Sequence, residues 1–324
     1  MEYLLIRLGI VGAGHIAPHH IQAAKLTGFQ PVAICGKPDS EKARSIAHAN
    51  PGLNAAVDLD ALLEEDLDAL LVAVSTESAV DVLERCCIRG LPTLIEKPVT
   101  IHLNDLYNLE NRYSHLVRVG YNRRFYSSVD SLKMEINEKP GFVQVIIPEL
   151  SSSSISNTKE KSYAIMENSV HILDLLFYLF GEIRIFNKGK QSNDHGEIAI
   201  YTQFTSNSGI QGSITFLFNA PENTSIKYWK DGLNLELSPI EIFRKSEGME
   251  VSPPTRENPI KTYKKSFSKW QISNVDQEAK PGFIRQYEAF KSFVDANDNS
   301  VRLATLGDAR KVMELAHEIV EIFD

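Results

Sequence analysis

Residues 4–17 read Leu4-Leu5-Ile6-Arg7-Leu8-Gly9-Ile10-Val11-Gly12-Ala13-Gly14-His15-Ile16-Ala17. The run from Leu4 to Val11 is apolar and β-rich, and a helix pattern takes over from about Ile16 to Thr27. Between them lies Gly12-x-Gly14-x-x-Ala17, so a strand passes through a glycine turn directly into a helix. In such a turn the first glycine permits the tight reversal. The second lets the backbone approach a pyrophosphate, and Ala17 allows close helix–strand packing. The helix N-terminus then offers unpaired N–H groups to a phosphate. The context predicts dinucleotide binding through Gly12, Ala13, Gly14, His15 and Ile16.

Outward from this stretch, strand and helix keep alternating. Pro31 to Cys35 reads as a second strand, and Ser40 can cap a helix through Ala49 that Pro51-Gly52 stops. Leu53 to Val57 reads as a short strand, and Leu67 to Val74 is a run, apolar apart from Asp68, of the kind buried on both faces. Thr76 opens a helix that Gly90 ends, and Pro92 to Glu96 and Leu116 to Gly120 are further strands. Alternation of this kind predicts a parallel, doubly wound sheet.

After Tyr121 the spacing becomes that of hairpins, with strands expected near 142–147, 183–188, 196–205, 210–218, 224–230 and 233–243. Asn207-Ser208-Gly209 and Asp231-Gly232 are the turn signals. One helix, about Ser162 to Phe180 and closed by Gly181, interrupts the sheet, and helices near Phe283–Asp295 and Leu306–Ile322 follow it. The expectation is an α/β protein: a Rossmann doubly wound parallel sheet over 1–121, then an α/β substrate and oligomerisation domain with an open, mostly antiparallel sheet over 122–324. The polar run Ser151 to Ser154 reads as a mobile loop.

The 324 residues carry a formal net charge of -8, which argues against nucleic-acid or anionic-membrane partners. No apolar run approaches the ~18 residues of a membrane span. The N-terminal apolar stretch has no basic region before it and reads as a strand, not a signal peptide. The three cysteines, Cys35, Cys86 and Cys87, predict a reduced, cytoplasmic protein.

Several residues point to chemistry. Glu96-Lys97-Pro98 ends a strand, where ligands of a doubly wound sheet bind. A lysine there can polarise a substrate oxygen or shuttle its proton, although an exposed loop lysine occupies such a position equally well. The second strand ends in Gly36-Lys37 without the acid that marks an NAD preference. That leaves space and positive charge for a 2′-phosphate, and favours NADP over NAD. On the apolar helix from Ser162, Glu167, His171 and Asp174 are spaced four and three apart, which places them on one α-helical face. Histidine suits acid–base work near neutral pH; a buried structural network in which Asp174 orients His171 is the competing explanation.

Taken together these segments resemble the glucose-fructose oxidoreductase, inositol dehydrogenase and rhizopine-catabolism (Gfo/Idh/MocA) family, over essentially the whole chain. The matching motifs are Gly12 to Ala17 with His20 further along, Glu96-Lys97-Pro98, and Val119-Gly120-Tyr121-Asn122-Arg123-Arg124-Phe125. The fourth is Glu167-Asn168-Ser169-Val170-His171-Ile172-Leu173-Asp174. The resemblance implies NAD(P)-linked hydride transfer at a sugar, cyclitol or nucleotide-linked sugar carbon. Lys97 would polarise the reacting oxygen, His171 would be the acid–base group, and Glu167 would contact a substrate hydroxyl. Asn122 and Arg123 would lie near the domain junction and the substrate, and Ser75 and Glu96 beside the cofactor. Glu167 and Ser169 depart from the family's aspartate and glycine, and Val74-Ser75-Thr76-Glu77 from its Thr-Pro segment. A homodimer or homotetramer is the assembly implied.

Other readings compete. His15, His19 and His20 lie close on one helix, but no cysteine or acid joins them, so no metal site is expected. No Gly-x-Ser-x-Gly elbow appears. Lys159 and Lys161 precede the histidine helix and are either solvated or receptors for an anionic substrate group. The alternative to an enzyme is a non-catalytic dinucleotide-binding sensor or scaffold.

Overall fold

The computed structural model describes residues 5–136, 141–149, 157–194, 196–271, 279–296 and 302–323. The expected loop Ser151 to Ser154 lies outside them. The described residues divide into two compact units, Met1–Phe125 with Val275–His317, and Tyr126–Asn274 with Glu318–Asp324.

The first unit is a six-stranded parallel sheet. In chain order it runs β1 (Ile6–Val11), α1 (Ala17–Leu26), β2 (Phe29–Cys35), α2 (Glu41–His48), β3 (Asn54–Ala55), α3 (Leu59–Leu63) and β4 (Ala69–Val72). Then come α4 (Thr76–Cys87), β5 (Thr93–Ile95), α5 (Leu103–Tyr113), β6 (Val117–Val119) and a 3₁₀ turn, Asn122–Phe125. The sheet order is β3-β2-β1-β4-β5-β6, so the chain reverses its winding between β1 and β4. Ligands of such sheets bind at that reversal, beyond the carboxyl ends of the strands. Residues in β1, β2 and β4 are almost all buried, as the apolar runs predicted. Ser40 and Asp58 cap α2 and α3, their side chains accepting from Ala43 N–H at 3.2 Å and Ala61 N–H at 2.9 Å.

The expected division at 121/122 is corrected at the far end of the chain. α9 (Phe283–Ala296) buries Phe283, Tyr287, Phe290 and Phe293 in the same core as Ile6, Leu8, Ile21, Phe29 and Leu94. Phe29 stacks on Phe290 with ring centroids 5.6 Å apart, and meets Tyr287 edge-on at 5.4 Å. Each fully buried side chain of this size contributes roughly 1.5–3 kcal/mol, enough to assign this helix to the first unit.

The second unit begins with α6 (Ser127–Glu135) and β7 (Phe142–Glu149). It continues through α7 (Thr158–Ala164), a π-helical turn (Ile165–Ser169) and α8 (Val170–Phe180). Seven further strands follow: β8 (Ile183–Asn193), β9 (Gly196–Ser206), β10 (Gln211–Phe218), β11 (Ser225–Lys230), β12 (Leu233–Leu237), β13 (Phe243–Ser252) and β14 (Thr262–Gln271). α10 (Leu306–Val320) lies mostly in the first unit. The sheet order is β14-β13-β12-β11-β7-β10-β9-β8, with only β7 and β10 parallel. β7 and β10 alternate buried and half-buried positions along most of their length, so one face packs on the core. Asp231 and Gly232 both take positive φ, 28° and 77°, as the Asp-Gly turn between β11 and β12 predicted.

Two expectations are corrected here. The single strand expected over 233–243 is two, because Ser238 to Ile242 form a turn in which Ile242 N–H reaches the Pro239 carbonyl at 2.9 Å. The single helix expected from Ser162 changes character midway, being α-helical to Ala164, π-helical to Ser169 and α-helical again to Phe180.

Candidate functional site

The glycine loop lies where the first sheet reverses. Gly12 donates its N–H to the Cys35 carbonyl of β2 at 2.8 Å, and Ala73 donates to the Val11 carbonyl at 2.7 Å. Gly12 has φ +117°, and a β-carbon there would stand 2.1 Å from the Ala73 carbonyl oxygen. No side chain fits that position. At Gly14, by contrast, a β-carbon would meet no atom within 4 Å, so open space lies over the backbone. Ala17 is fully buried at the start of α1. The first turn of α1 holds no acidic residue, and no side chain caps it. Its N–H groups therefore fit a phosphate, with no carboxylate to compete.

Around the loop, His15 is exposed and Ile16 and Ala13 are half-buried. A β-carbon on Gly36 would lie 2.6 Å from the Ser40 hydroxyl, so the end of β2 stays narrow and bare. Lys37 is exposed beyond it. Arg44, on α2, is a residue that the reading of the sequence missed: its guanidinium lies 4.0 Å from Asp39, with more than half of the side chain in solvent. Ser75 is exposed before α4, its hydroxyl 3.2 Å from that of Ser78.

Lys97 follows β5 at the corner of the sheet. Glu96 donates its N–H to the Val72 carbonyl, Gly120 donates to that of Ile95, and the Lys97–Pro98 bond is cis. Lys97 is half-buried. The Glu96 carboxylate takes the Lys97 N–H at 3.2 Å on one oxygen and faces His20 Nε2 at 2.9 Å with the other. Burial pushes the Glu96 carboxyl up. The His20 hydrogen bond and charge, with the Lys97 charge and N–H, outweigh it and hold the carboxyl below its ordinary value. Burial and then the Glu96 charge hold the Tyr287 phenol well above its ordinary value, so it stays protonated. Asn122 is buried in the 3₁₀ turn and spends one amide N–H on the Pro281 carbonyl at 3.0 Å. Arg123 beside it is half-buried.

Glu167 and His171 belong to the second unit. Glu167 lies in the π turn and His171 in the first turn of α8, both half-buried, with Asp174 buried a turn later. The α-helical spacing argument therefore holds for His171 and Asp174. Between Glu167 and His171 the wider π turn changes the offset. The turn has its own support: Ser169, buried, donates its hydroxyl to Glu149, and Asn168 donates to the other Glu149 oxygen at 3.2 Å. Glu149 ends β7 at an inward position, after Val143, Val145 and Ile147. A charge in phase with that buried alternation was the sequence signal for it. Glu149→Ala should lower the unfolding free energy by about 1–3 kcal/mol, because it strands the buried Ser169 hydroxyl. Urea denaturation measures this, and an unchanged midpoint would remove Glu149 as the support of the turn.

Lys161 is corrected on both counts, being neither solvated nor open to an anionic group. It is buried, bridges Glu197 at 3.0 Å and lies over the Phe218 ring. Lys159 is exposed. Among the described residues, no group of His, Cys, Asp and Glu converges as a metal site. Cys35, Cys86 and Cys87 are free and buried, and burial pushes each thiol up to about 12, which leaves them unreactive.

Residues 6–121 match the model of an oxidoreductase family with an NAD-binding Rossmann fold. An inositol 2-dehydrogenase of Rhodococcus jostii is 27% identical over 186 residues, which cover 55% of this chain and 50% of that protein. The rhizopine catabolism protein MocA of Rhizobium meliloti is 28% identical over 134 residues, 40% of this chain and 42% of that protein. The chain thus spans about half the length, or less, of these curated relatives. A solved structure, UDP-N-acetylglucosamine 3-dehydrogenase GnnA from Acidithiobacillus ferrooxidans, superposes with a TM-score of 0.75 at 18% identity. It covers 98% of this chain and 97% of that one, a likeness of fold alone. With the parallel sheet, the glycine loop and the Glu96-Lys97-Pro98 corner in place, residues 6–121 form the NAD-binding Rossmann domain of the Gfo/Idh/MocA oxidoreductase family.

Proposed function

We propose that this protein is an NAD(P)-dependent dehydrogenase or reductase that moves a hydride to or from a hydroxyl-bearing carbon of a sugar, cyclitol or nucleotide-linked sugar. The observation that carries this is the open space over Gly14, in the loop after β1 of the same sheet whose β5 leads into Glu96-Lys97. The relatives named as inositol dehydrogenases support a polyol substrate. The nicotinamide supplies the hydride acceptor or donor. The first turn of α1 holds the cofactor's phosphates. The Lys97 ammonium polarises the reacting oxygen, and His171 exchanges its proton. Glu167 accepts a hydrogen bond from a substrate hydroxyl, and Asn122 and Arg123 contact the substrate.

The cofactor is NADP in preference to NAD. Gly36 puts no side chain and no acid at the end of β2, and Lys37 and Arg44 supply positive charge there. Lys37→Ala with Arg44→Ala should weaken NADP binding about tenfold or more and leave NAD within about twofold, since charge-assisted bonds to the extra phosphate are lost. Titration of both nucleotides checks it, and a wild-type preference for NAD would reverse the assignment.

The protein assembles as a homodimer or homotetramer through the open sheet of the second unit, where Phe186, Tyr201, Tyr263 and Phe267 are exposed. The buried free thiols suit a reducing, cytoplasmic setting, and among the described residues no helix is long and apolar enough to cross a membrane.

The deciding experiment offers myo-inositol, free sugars and nucleotide sugars with each nicotinamide and follows nicotinamide absorbance. Turnover of a polyol or sugar is expected. Tight cofactor binding with no turnover across the panel would favour the sensor reading.

A further inference from the structure

His20 is fully buried on α1, and both of its ring nitrogens are engaged. Nε2 lies 2.9 Å from Glu96, and Nδ1 lies 3.1 Å from the Tyr287 hydroxyl. The imidazole also packs on Phe283, with ring centroids 4.8 Å apart. Glu96 passes the connection on through its other oxygen, which accepts the Lys97 N–H at 3.2 Å. One chain of hydrogen bonds thus links α9, α1 and the corner after β5.

The surroundings leave this chain little freedom. A β-carbon on Gly120 would stand 3.3 Å from the Glu96 oxygen that faces His20 and 3.4 Å from the Gln286 amide, so the chain after β6 closes that side. Gln286 is fully buried, and its amide has no partner among the described residues. Burying an imidazole, a phenol and an amide together is costly, and such a set is rigid only when its members hold one another. Each Glu96 oxygen already has a protein donor or partner.

We propose that His20 and Tyr287, acting through Glu96, are positioning residues for Lys97. They fix the backbone at the corner so that the ammonium meets the reacting oxygen, and they touch neither cofactor nor substrate. The proposal rests on the role given to Lys97 above.

Three variants of the full chain test it. His20→Phe keeps the ring and its packing on Phe283 but loses both hydrogen bonds. His20→Gln keeps an N–H that can reach Glu96, and Tyr287→Phe removes only the hydroxyl. Hydrogen exchange at the Lys97 amide and the affinity for NAD and NADP are read without substrate; kcat and KM are read with whichever polyol or sugar the wild type turns over. In His20→Phe, Lys97 exchange should quicken about tenfold and kcat fall about 10- to 100-fold, as misplacement of a reacting group does. KM and cofactor affinity should stay within about twofold. His20→Gln should recover most of the loss, and Tyr287→Phe should move the same readouts less far. Unchanged Lys97 exchange overturns the proposal, and so does cofactor affinity that falls as far as kcat. If His20→Phe does not fold, the other two variants decide. If the wild type turns over nothing, the proposed function falls, and exchange and cofactor affinity still decide whether the chain holds Lys97.

Discussion

Turnover by Lys97→Ala is expected to fall roughly 10²- to 10⁴-fold, the range for losing a positioned acid–base or polarising group. Cofactor affinity should stay within about threefold, because the phosphate site proposed above is the first turn of α1 and not the corner after β5. Lys97 is half-buried just beyond the end of the buried strand β5, where ligands of a doubly wound sheet bind. Lys97→Arg should not restore activity, since a planar guanidinium puts its charge elsewhere than a compact ammonium does. His171→Asn should lower kcat on a similar scale, as it keeps a polar side chain without the titrating imidazole. Steady-state kinetics with an identified substrate, beside cofactor titration of the same preparations, checks both. Intact turnover by Lys97→Ala would falsify the role given to that residue.

Gly12→Ala is expected to lose both cofactor binding and on the order of 3 kcal/mol of stability. The added β-carbon would overlap the Ala73 carbonyl oxygen at 2.1 Å, and φ of +117° is a conformation that an L side chain rarely adopts. Neither the carbonyl nor the turn can give way, because Ala73 N–H and Gly12 N–H both bond across the sheet at this point. Gly14→Ala is the contrast: with nothing within 4 Å, it should fold to within about 0.5 kcal/mol of wild type. Its methyl would still project into the space that a pyrophosphate needs, so the nucleotide should bind more weakly. Urea unfolding and nucleotide titration separate the two variants. Equal stability in Gly12→Ala would show that the turn opens more readily than its geometry implies.

The first sheet was legible because its information is local. Ala69 to Val74 is apolar throughout since both faces of β4 are covered, and the glycine turn carries its own signature. The Asp231-Gly232 turn was legible for the same reason. The return of α9 to the first unit was not, because the partners of Phe29 are Tyr287 and Phe290, far along the chain, and no local pattern joins them. The π turn was hidden too: Glu167 and His171 have spacing that fits an α-helix, and the departure comes from tertiary bonds of Ser169 and Asn168 to Glu149. Lys161, on α7, misled because its partner Glu197 lies on β9, far along the chain. Among the site residues, Lys97 and the glycines stood out by position at strand ends. The hold of His20 on Glu96 needed the fold to bring α1 beside β5.

The late arrival of α9 has a consequence for synthesis. A ribosome makes the six strands of the first sheet long before it makes Phe283 to Phe293, and until then Phe29 and its neighbours have no lid. The emerging chain therefore carries an unfinished nucleotide-binding unit while the whole second sheet is being translated. Such exposed apolar surface invites chaperone binding and aggregation. His20 likewise waits for Tyr287, so the corner that holds Lys97 matures only after the whole second sheet has been made.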